Sequence, residues 1–564
     1  MTRQTSLVPR LLTLASLAAL SQAELGKIQW KGSCNLTTYP ALICGTLDVP
    51  YDYTESNSSK TLTLDIAKWP ATKKPVSEPI IFNFGGPGVN SFEGLGLYGE
   101  EFQAILGGHN DLIAFNNRGV GNTIPFSCYS DDATRELVAL QAPNDGRASS
   151  TALGEIWAQN ANIAQACYAT NNQTGSLIGT SFAARDIMQV ADALSGKDSL
   201  VNYWGFSYGT TIGAVLAAMF PDRMGNVALD GVDNPREALY GYNAQAVVDV
   251  DKVFEGFCTG CMAAPDLCPI AKEYTSAANL EAAIYLMLEN LKYNPIAIPE
   301  TGGIVTWSDV KSTIFEAMYL PSSWPLTSEL LYYVQTRNTT ILGNSEVYDT
   351  IKSYGQSASL TSASDEVGTA ITCSDKHRSA TIKEVLPYVK ARQALTKIGS
   401  DGSDGDMRCA QWNPKMFAKE RYSGDFEVKT ANPVLILSNT YDPATPLPAA
   451  KNLTETFEGS VLLEQNGYGH TTLSMPSLCT AKAVRAYFTN GTLPADGTIC
   501  QVDVPLFTNL TYKDVWPKSF QRSVESRDDA TILKALMSVR DKMSRRRMCI
   551  YLYTNSASWR PELP

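Results

Sequence analysis

Short apolar runs bounded by turn residues recur at 61–69, 79–84, 111–115, 200–204, 226–229, 433–438 and 460–463. Stretches with helical periodicity lie between several of them, among them 181–194 and 211–220. Strands alternating with helices predict an α/β fold: a doubly wound, mostly parallel sheet with right-handed crossovers and helices on both faces. In such folds ligands bind beyond the carboxyl ends of the strands.

From about residue 239 to 399 this rhythm stops, and the chain becomes helical and rich in Leu and aromatic residues, as at 280–291, 310–318 and 328–334. An excursion between two parts of one sheet predicts an inserted helical cap over its carboxyl edge. The core then comprises 24–238 and 400–520, with Gly399 to Gly405 as a flexible return. Beyond about residue 520 the chain turns charged and carries Arg545, Arg546 and Arg547. One amphipathic helix through Ile532, Leu533, Leu536, Met537 and Met543 fits this stretch, and 521–564 reads as a basic surface tail.

At 564 residues the chain can bury a large core, and its net charge of −11 argues against nucleic acid or an anionic membrane as partner. Residues 1–23 combine a basic start, a short apolar run and small residues before a cut after Ala23, which predicts a secretory signal peptide. No later run is long and apolar enough to span a bilayer. Twelve cysteines and seven Asn-x-Ser/Thr sequons, at Asn35, Asn57, Asn172, Asn338, Asn452, Asn490 and Asn509, fit an oxidising, glycosylating route to the extracellular space. Disulfides are therefore favoured over zinc for Cys258, Cys261 and Cys268, which lack a nearby His or a second Cys-x-x-Cys. Local spacing suggests bridges Cys34–Cys44, Cys128–Cys167 and Cys479–Cys500. The pairing of Cys258, Cys261, Cys268, Cys373 and Cys409 stays open, with Cys549 in the tail unassigned.

The chemistry centres on Gly205-Phe206-Ser207-Tyr208-Gly209, which follows an apolar strand and precedes a helix of small residues. A nucleophile elbow has this layout: the glycines permit a sharp strand-to-helix turn that lifts the serine hydroxyl to the helix N-terminus. A serine hydroxyl needs a base, and that base needs an acid to orient it. Of the three histidines, His109 falls on the amino side of a strand and His377 in the cap, whereas His470 sits in a glycine-rich turn after the last core strand. Asp442 ends the run 433–442 and lies between Ser207 and His470, matching the order Ser, acid, His of this fold. The oxyanion donors expected are the backbone N–H groups of Tyr208 and of Gly86, in the loop Gly85-Gly86-Pro87-Gly88. This chemistry requires no metal or organic cofactor. Its substrate is a peptide or small molecule.

With these residues in place, the chain resembles secreted α/β-hydrolases of the tripeptidyl-aminopeptidase-like group, relatives of the prolyl aminopeptidases. The resemblance spans most of residues 35–510 and rests on ordered motifs. These are Gly85 to Gly88, Arg118-Gly119-Val120-Gly121, Ala183 to Asp186, Tyr203 to Thr210, Phe220 to Arg223, Leu229-Asp230-Gly231, Asp442 to Pro446 and Gly469-His470. It implies the α/β-hydrolase fold, a triad of Ser207, Asp442 and His470, and aminopeptidase activity on short peptides. An esterase or natural-product tailoring hydrolase is the alternative, since the same triad cleaves both bonds. Two positions depart from the family: Asn116 stands where an Asp is common, and Phe84 where prolyl aminopeptidases commonly have His. An exopeptidase also needs an anion for the substrate ammonium, for which Glu237, Glu316 and Asp375 are the cap-side candidates.

Overall fold

The strand order β1-β2-β3-β5-β4-β6-β7-β10-β11-β12 defines a ten-stranded sheet. In chain order the strands are β1 (Gln29–Ser33), β2 (Ile43–Pro50), β3 (Thr61–Trp69), β4 (Ser77–Asn83), β5 (Asn110–Phe115), β6 (Val201–Phe206) and β7 (Met224–Asp230). A two-stranded cap hairpin of β8 (Ile296–Ile298) and β9 (Gly303–Val305) intervenes before β10 (Leu435–Tyr441), β11 (Val461–Tyr468) and β12 (Ile499–Gln501). The computed structural model describes residues 26–553 except 35–38, 142, 144, 356–361 and 517–523. The expected signal peptide and the Asn35 sequon lie outside the described residues.

From β5 through β12 the neighbours run parallel, whereas β1, β2 and β3 add an antiparallel edge. Alternate side chains of each strand point to opposite faces. Ile81, Ile113, Tyr203, Val227 and Ile436 therefore pack with the helices Thr180–Ser195 and Tyr208–Met219. Their neighbours Phe82, Leu112, Trp204, Ala228 and Leu437 pack with the helices Ser91–Leu106 and Leu478–Asn490. Helices on both faces make this a doubly wound α/β fold. The charged loop motif also has a structural use: Arg118 is buried and donates to both Asp186 oxygens, at 2.8 and 2.9 Å. Asn116, the departure beside it, accepts the Ser91 N–H at 2.9 Å and so serves the start of the helix Ser91–Leu106.

Between β7 and β10 the cap helices Val250–Ala263, Ala277–Tyr293, Trp307–Met318 and Trp324–Gln335 enclose their own core of Phe254, Phe257, Ile314 and Trp324. Tyr441 and Tyr468, at the ends of β10 and β11, pack against this core and fasten the cap to the sheet.

Two expectations about the connecting segments are corrected. The Gly399–Gly405 stretch is not a flexible return: Asp401 is buried, accepts Ser403 N–H and hydroxyl at 3.0 and 2.6 Å, and receives Gly146 N–H at 2.9 Å. Its Ser-Asp composition supplies turn and capping bonds in place of mobility. The C-terminal segment is likewise not a surface appendage, because its helix Val524–Tyr553 buries Ile532, Leu533, Leu536 and Met537. Leu536 joins Phe102 and Val484 in the core, while Lys542 Nζ lies 2.6 Å from Glu101 of the helix Ser91–Leu106. The apolar stripe read from sequence faces inward, and the charges occupy the remaining arc.

Among the residues whose side chains are described, which leave out Cys549, five disulfides are formed, pairing Cys34 with Cys44, Cys128 with Cys167, Cys261 with Cys268, Cys373 with Cys409 and Cys479 with Cys500. Cys258 is a buried free thiol, and burial pushes its ionisation well above the ordinary thiol range. The sequons at Asn57, Asn172, Asn338, Asn490 and Asn509 are exposed, and Asn452 is half-buried. No helix among the described residues is long and apolar enough to cross a membrane.

Candidate active site

Ser207 joins β6 to the helix Tyr208–Met219 with φ 55° and ψ −126°, a left-handed backbone for a residue bearing a Cβ. The glycines on either side explain how the turn closes. A Cβ on Gly205 would lie 2.4 Å from the Gly209 carbonyl oxygen, and one on Gly209 would lie 2.7 Å from that of Asn83.

Asp442 and His470 follow β10 and β11, so both arrive at the same carboxyl edge as Ser207. His470 Nδ1 lies 3.0 and 3.1 Å from the two Asp442 oxygens. The carboxylate is fully buried and also accepts the N–H groups of Ala444, Thr445 and Thr471 and the Thr445 hydroxyl, at 2.8–2.9 Å. Burial opposes its ionisation, but His470 and these donors outweigh it and hold Asp442 below the usual carboxylate range. The imidazole keeps an open side, being 16% exposed.

The glycine loop after β4 approaches the elbow closely, since a Cβ on Gly85 would lie 2.9 Å from that of Ser207. Gly85 donates its N–H to Asn83 Oδ1 at 3.0 Å, and Gly86 lines the cavity in front of the elbow. That cavity encloses about 730 Å³ and is lined by Ser207, Tyr208 and His470. His109 and His377 stand apart, bonded to the carbonyls of Pro75 and Ala418 respectively.

Of the three proposed cap-side anions, Asp375 lines the cavity and the other two do not. Its carboxyl takes the Thr180 N–H at 3.0 and 3.1 Å and the Thr180 hydroxyl at 2.5 Å, and burial pushes its pKa up to about 7. Glu237 is occupied by the Ala244 N–H at 2.9 Å. The structure adds Asp233, Asp404 and Asp406 to the cavity wall, with Asp406 3.1 Å from Lys376 Nζ. Burial raises Asp233 to about 6 and also raises Asp404.

Sequence reasoning passed over the groups that hold the His470 loop. Asn439 Nδ2 donates to the carbonyls of Gly469 and Thr471 at 2.8 and 2.7 Å, and Gln465 Nε2 to that of Thr472 at 2.9 Å. Both are fully buried amides, in β10 and β11. Each lies within a polar run, Ser438-Asn439-Thr440 and Glu464-Gln465-Asn466, so nothing in the sequence set it apart from its neighbours. From the cap, the Tyr319 carbonyl accepts the His470 N–H at 2.8 Å.

The chain matches the family model described as alpha/beta hydrolase fold over residues 78–255, which contains the elbow. It matches the model for TAP-like protein over 394–500, which contains Asp442 and His470. Serine protease Hip1 of Mycobacterium tuberculosis is 26% identical over 499 residues, covering 86% of this chain and 93% of the relative. Tripeptidyl aminopeptidase of Streptomyces lividans is 25% identical over 513 residues, covering 86% and 88%. Carboxylesterase B of M. tuberculosis is 26% identical over 477 residues, covering 81% and 86%.

Proposed function

We propose that this chain, an α/β-hydrolase with a TAP-like C-terminal segment and a serine hydrolase by its relatives, is a secreted peptidase that works from free peptide N-termini. Ser207 attacks the scissile carbonyl while His470 takes its proton and returns it to the leaving amine. Asp442 holds the imidazole in the tautomer with Nδ1 protonated and stabilises the imidazolium. The N–H groups of Tyr208 and Gly86 receive the oxyanion, and water then releases the acyl group. The observation that carries this reading is the 3.0 Å contact between His470 and the buried, ionised Asp442, on the edge where the Ser207 elbow opens.

Two observations support an exopeptidase. The cap reaches the His470 loop through the Tyr319 to His470 bond, and Asp233 and Asp404 place carboxyl groups on the cavity wall that can receive a substrate ammonium. Five bridges and exposed sequons fit an extracellular destination. The likeness to a carboxylesterase keeps an esterase as the second reading.

The deciding assay compares a peptide amide with a free amino terminus, its acetylated twin and a short-chain ester, alongside fluorophosphonate labelling. Cleavage of the first peptide and not the second is expected. Equal cleavage of both removes the ammonium requirement, and turnover of the ester alone moves the enzyme to the esterase class.

A further inference from the structure

The C-terminal helix Val524–Tyr553 lies beyond the segment matched by either family model, yet its Met543 lines the cavity that holds Ser207 and His470. Its place there is fixed by neighbours on both sides. Lys542 Nζ donates to the Leu97 carbonyl at 2.7 Å and meets Glu101 at 2.6 Å, which ties this turn to the helix Ser91–Leu106. Ser544 Oγ lies 2.5 Å from Ser322 Oγ, which ties it to the cap. One helix thus bridges core and cap beside the site.

One wall of the cavity is apolar. Phe84, Tyr98, Phe102 and Phe206 form one aromatic group with ring centroids 5.9–6.5 Å apart, and all four line the cavity together with Leu473. The acidic and basic side chains of the cavity, Asp233, Asp375, Lys376, Arg392, Asp404 and Asp406, come from other segments. The cavity accordingly offers an apolar wall distinct from its charged groups. Phe84, the departure from the prolyl aminopeptidases, belongs to the apolar wall, and Met543 enters the cavity from the turn that Lys542 ties to the helix carrying Tyr98 and Phe102.

We propose that the C-terminal helix is part of the substrate site and that Met543 is a specificity-determining residue, packing with the aromatic group around an apolar substituent that flanks the scissile bond. A thioether on three rotatable bonds adapts to such a substituent and contributes to its burial. The size of the pocket is set by how far Met543 reaches. The proposal rests on the serine-hydrolase reading.

Met543→Ala and Met543→Trp in the full-length chain provide the test, with two ester series that a peptidase and an esterase both hydrolyse. One series enlarges the side chain of an amino-acid methyl ester with a free amino group from alanyl to homophenylalanyl; the other enlarges the alcohol of an alanyl ester with a free amino group from methyl to phenylpropyl. In one of the two series, the alanine variant is expected to raise kcat/KM for the largest member relative to the smallest about tenfold, and the tryptophan variant to lower it by a similar factor. Fluorophosphonate labelling of Ser207 is expected to persist in both variants, which shows that each remains folded. Selectivity within about twofold of the starting protein in both series, with labelling intact, overturns the role of Met543. Absence of labelling in the unsubstituted protein instead overturns the serine-hydrolase reading on which it rests.

Discussion

The backbone N–H of Ser207 donates to the backbone carbonyl of Asp230 at 3.1 Å. The Asp230 carboxylate in turn receives the Thr472 N–H at 2.8 Å and the Thr472 hydroxyl at 2.6 Å, two residues beyond His470. One residue at the end of β7 therefore links the elbow to the His470 loop. Asp230→Ala removes the second half of that link and leaves Thr472 unpaired. The expected result is a fall of about 10²-fold in kcat, because misplacement of a base by about 1 Å has that effect. Circular dichroism and the rate of fluorophosphonate labelling, measured together, separate this local loosening from global unfolding.

Ser207→Ala is expected to leave the fold intact and to lower kcat by about 10⁴-fold or more. Asp442→Asn is expected to reach a comparable loss by a different route, since an amide at this buried position favours the wrong imidazole tautomer. Activity near that of the starting protein in the Ser207→Ala variant rules out the elbow as the nucleophile.

Stability should depend on pH through Asp375. Burial raises its carboxyl to about 7 from 3.8, so between these values the folded chain holds a proton that the unfolded chain has released. The contribution to stability is fully present below 3.8 and is lost as pH rises through about 7. The difference in Tm between the starting protein and Asp375→Asn should therefore shrink from pH 5 to pH 8. A difference that stays constant over this range contradicts the assignment.

Strands β3 to β7, β10 and β11 were legible because buried parallel strands are short apolar runs, and the positions of Ser207, Asp442 and His470 followed from which runs they end. β1, with five exposed residues, offered no apolar pattern to read. The Gly399–Gly405 stretch misled for a related reason. Ser, Asp and Gly are common in mobile loops, yet here Asp401 and Ser403 satisfy each other in a buried turn, which depends on Gly146 arriving from far away in sequence. Asp233 and Asp404 escaped notice because their place in the cavity is fixed by tertiary packing alone.

The cysteines give an independent check. Non-reducing peptide mapping should recover Cys261–Cys268 and Cys373–Cys409, with Cys258 alkylated only after denaturation. Loss of a bridge such as Cys479–Cys500 by double alanine substitution should lower unfolding stability by about 2–4 kcal/mol, read from denaturant titration. Ready alkylation of Cys258 in the native protein conflicts with its burial.

The pairing of β7 with β10 joins Leu229 to Ile436, so about 200 residues, most of them cap, separate two adjacent strands of the sheet. At the usual rates of synthesis, on the order of 10–40 s pass between the emergence of one and of the other. Throughout that interval β7 presents a bare, apolar edge, open to any extended chain in its surroundings. The period between making the first half of the sheet and completing it is thus when this protein is most exposed to aggregation, and when a chaperone that shields strand edges has most to do.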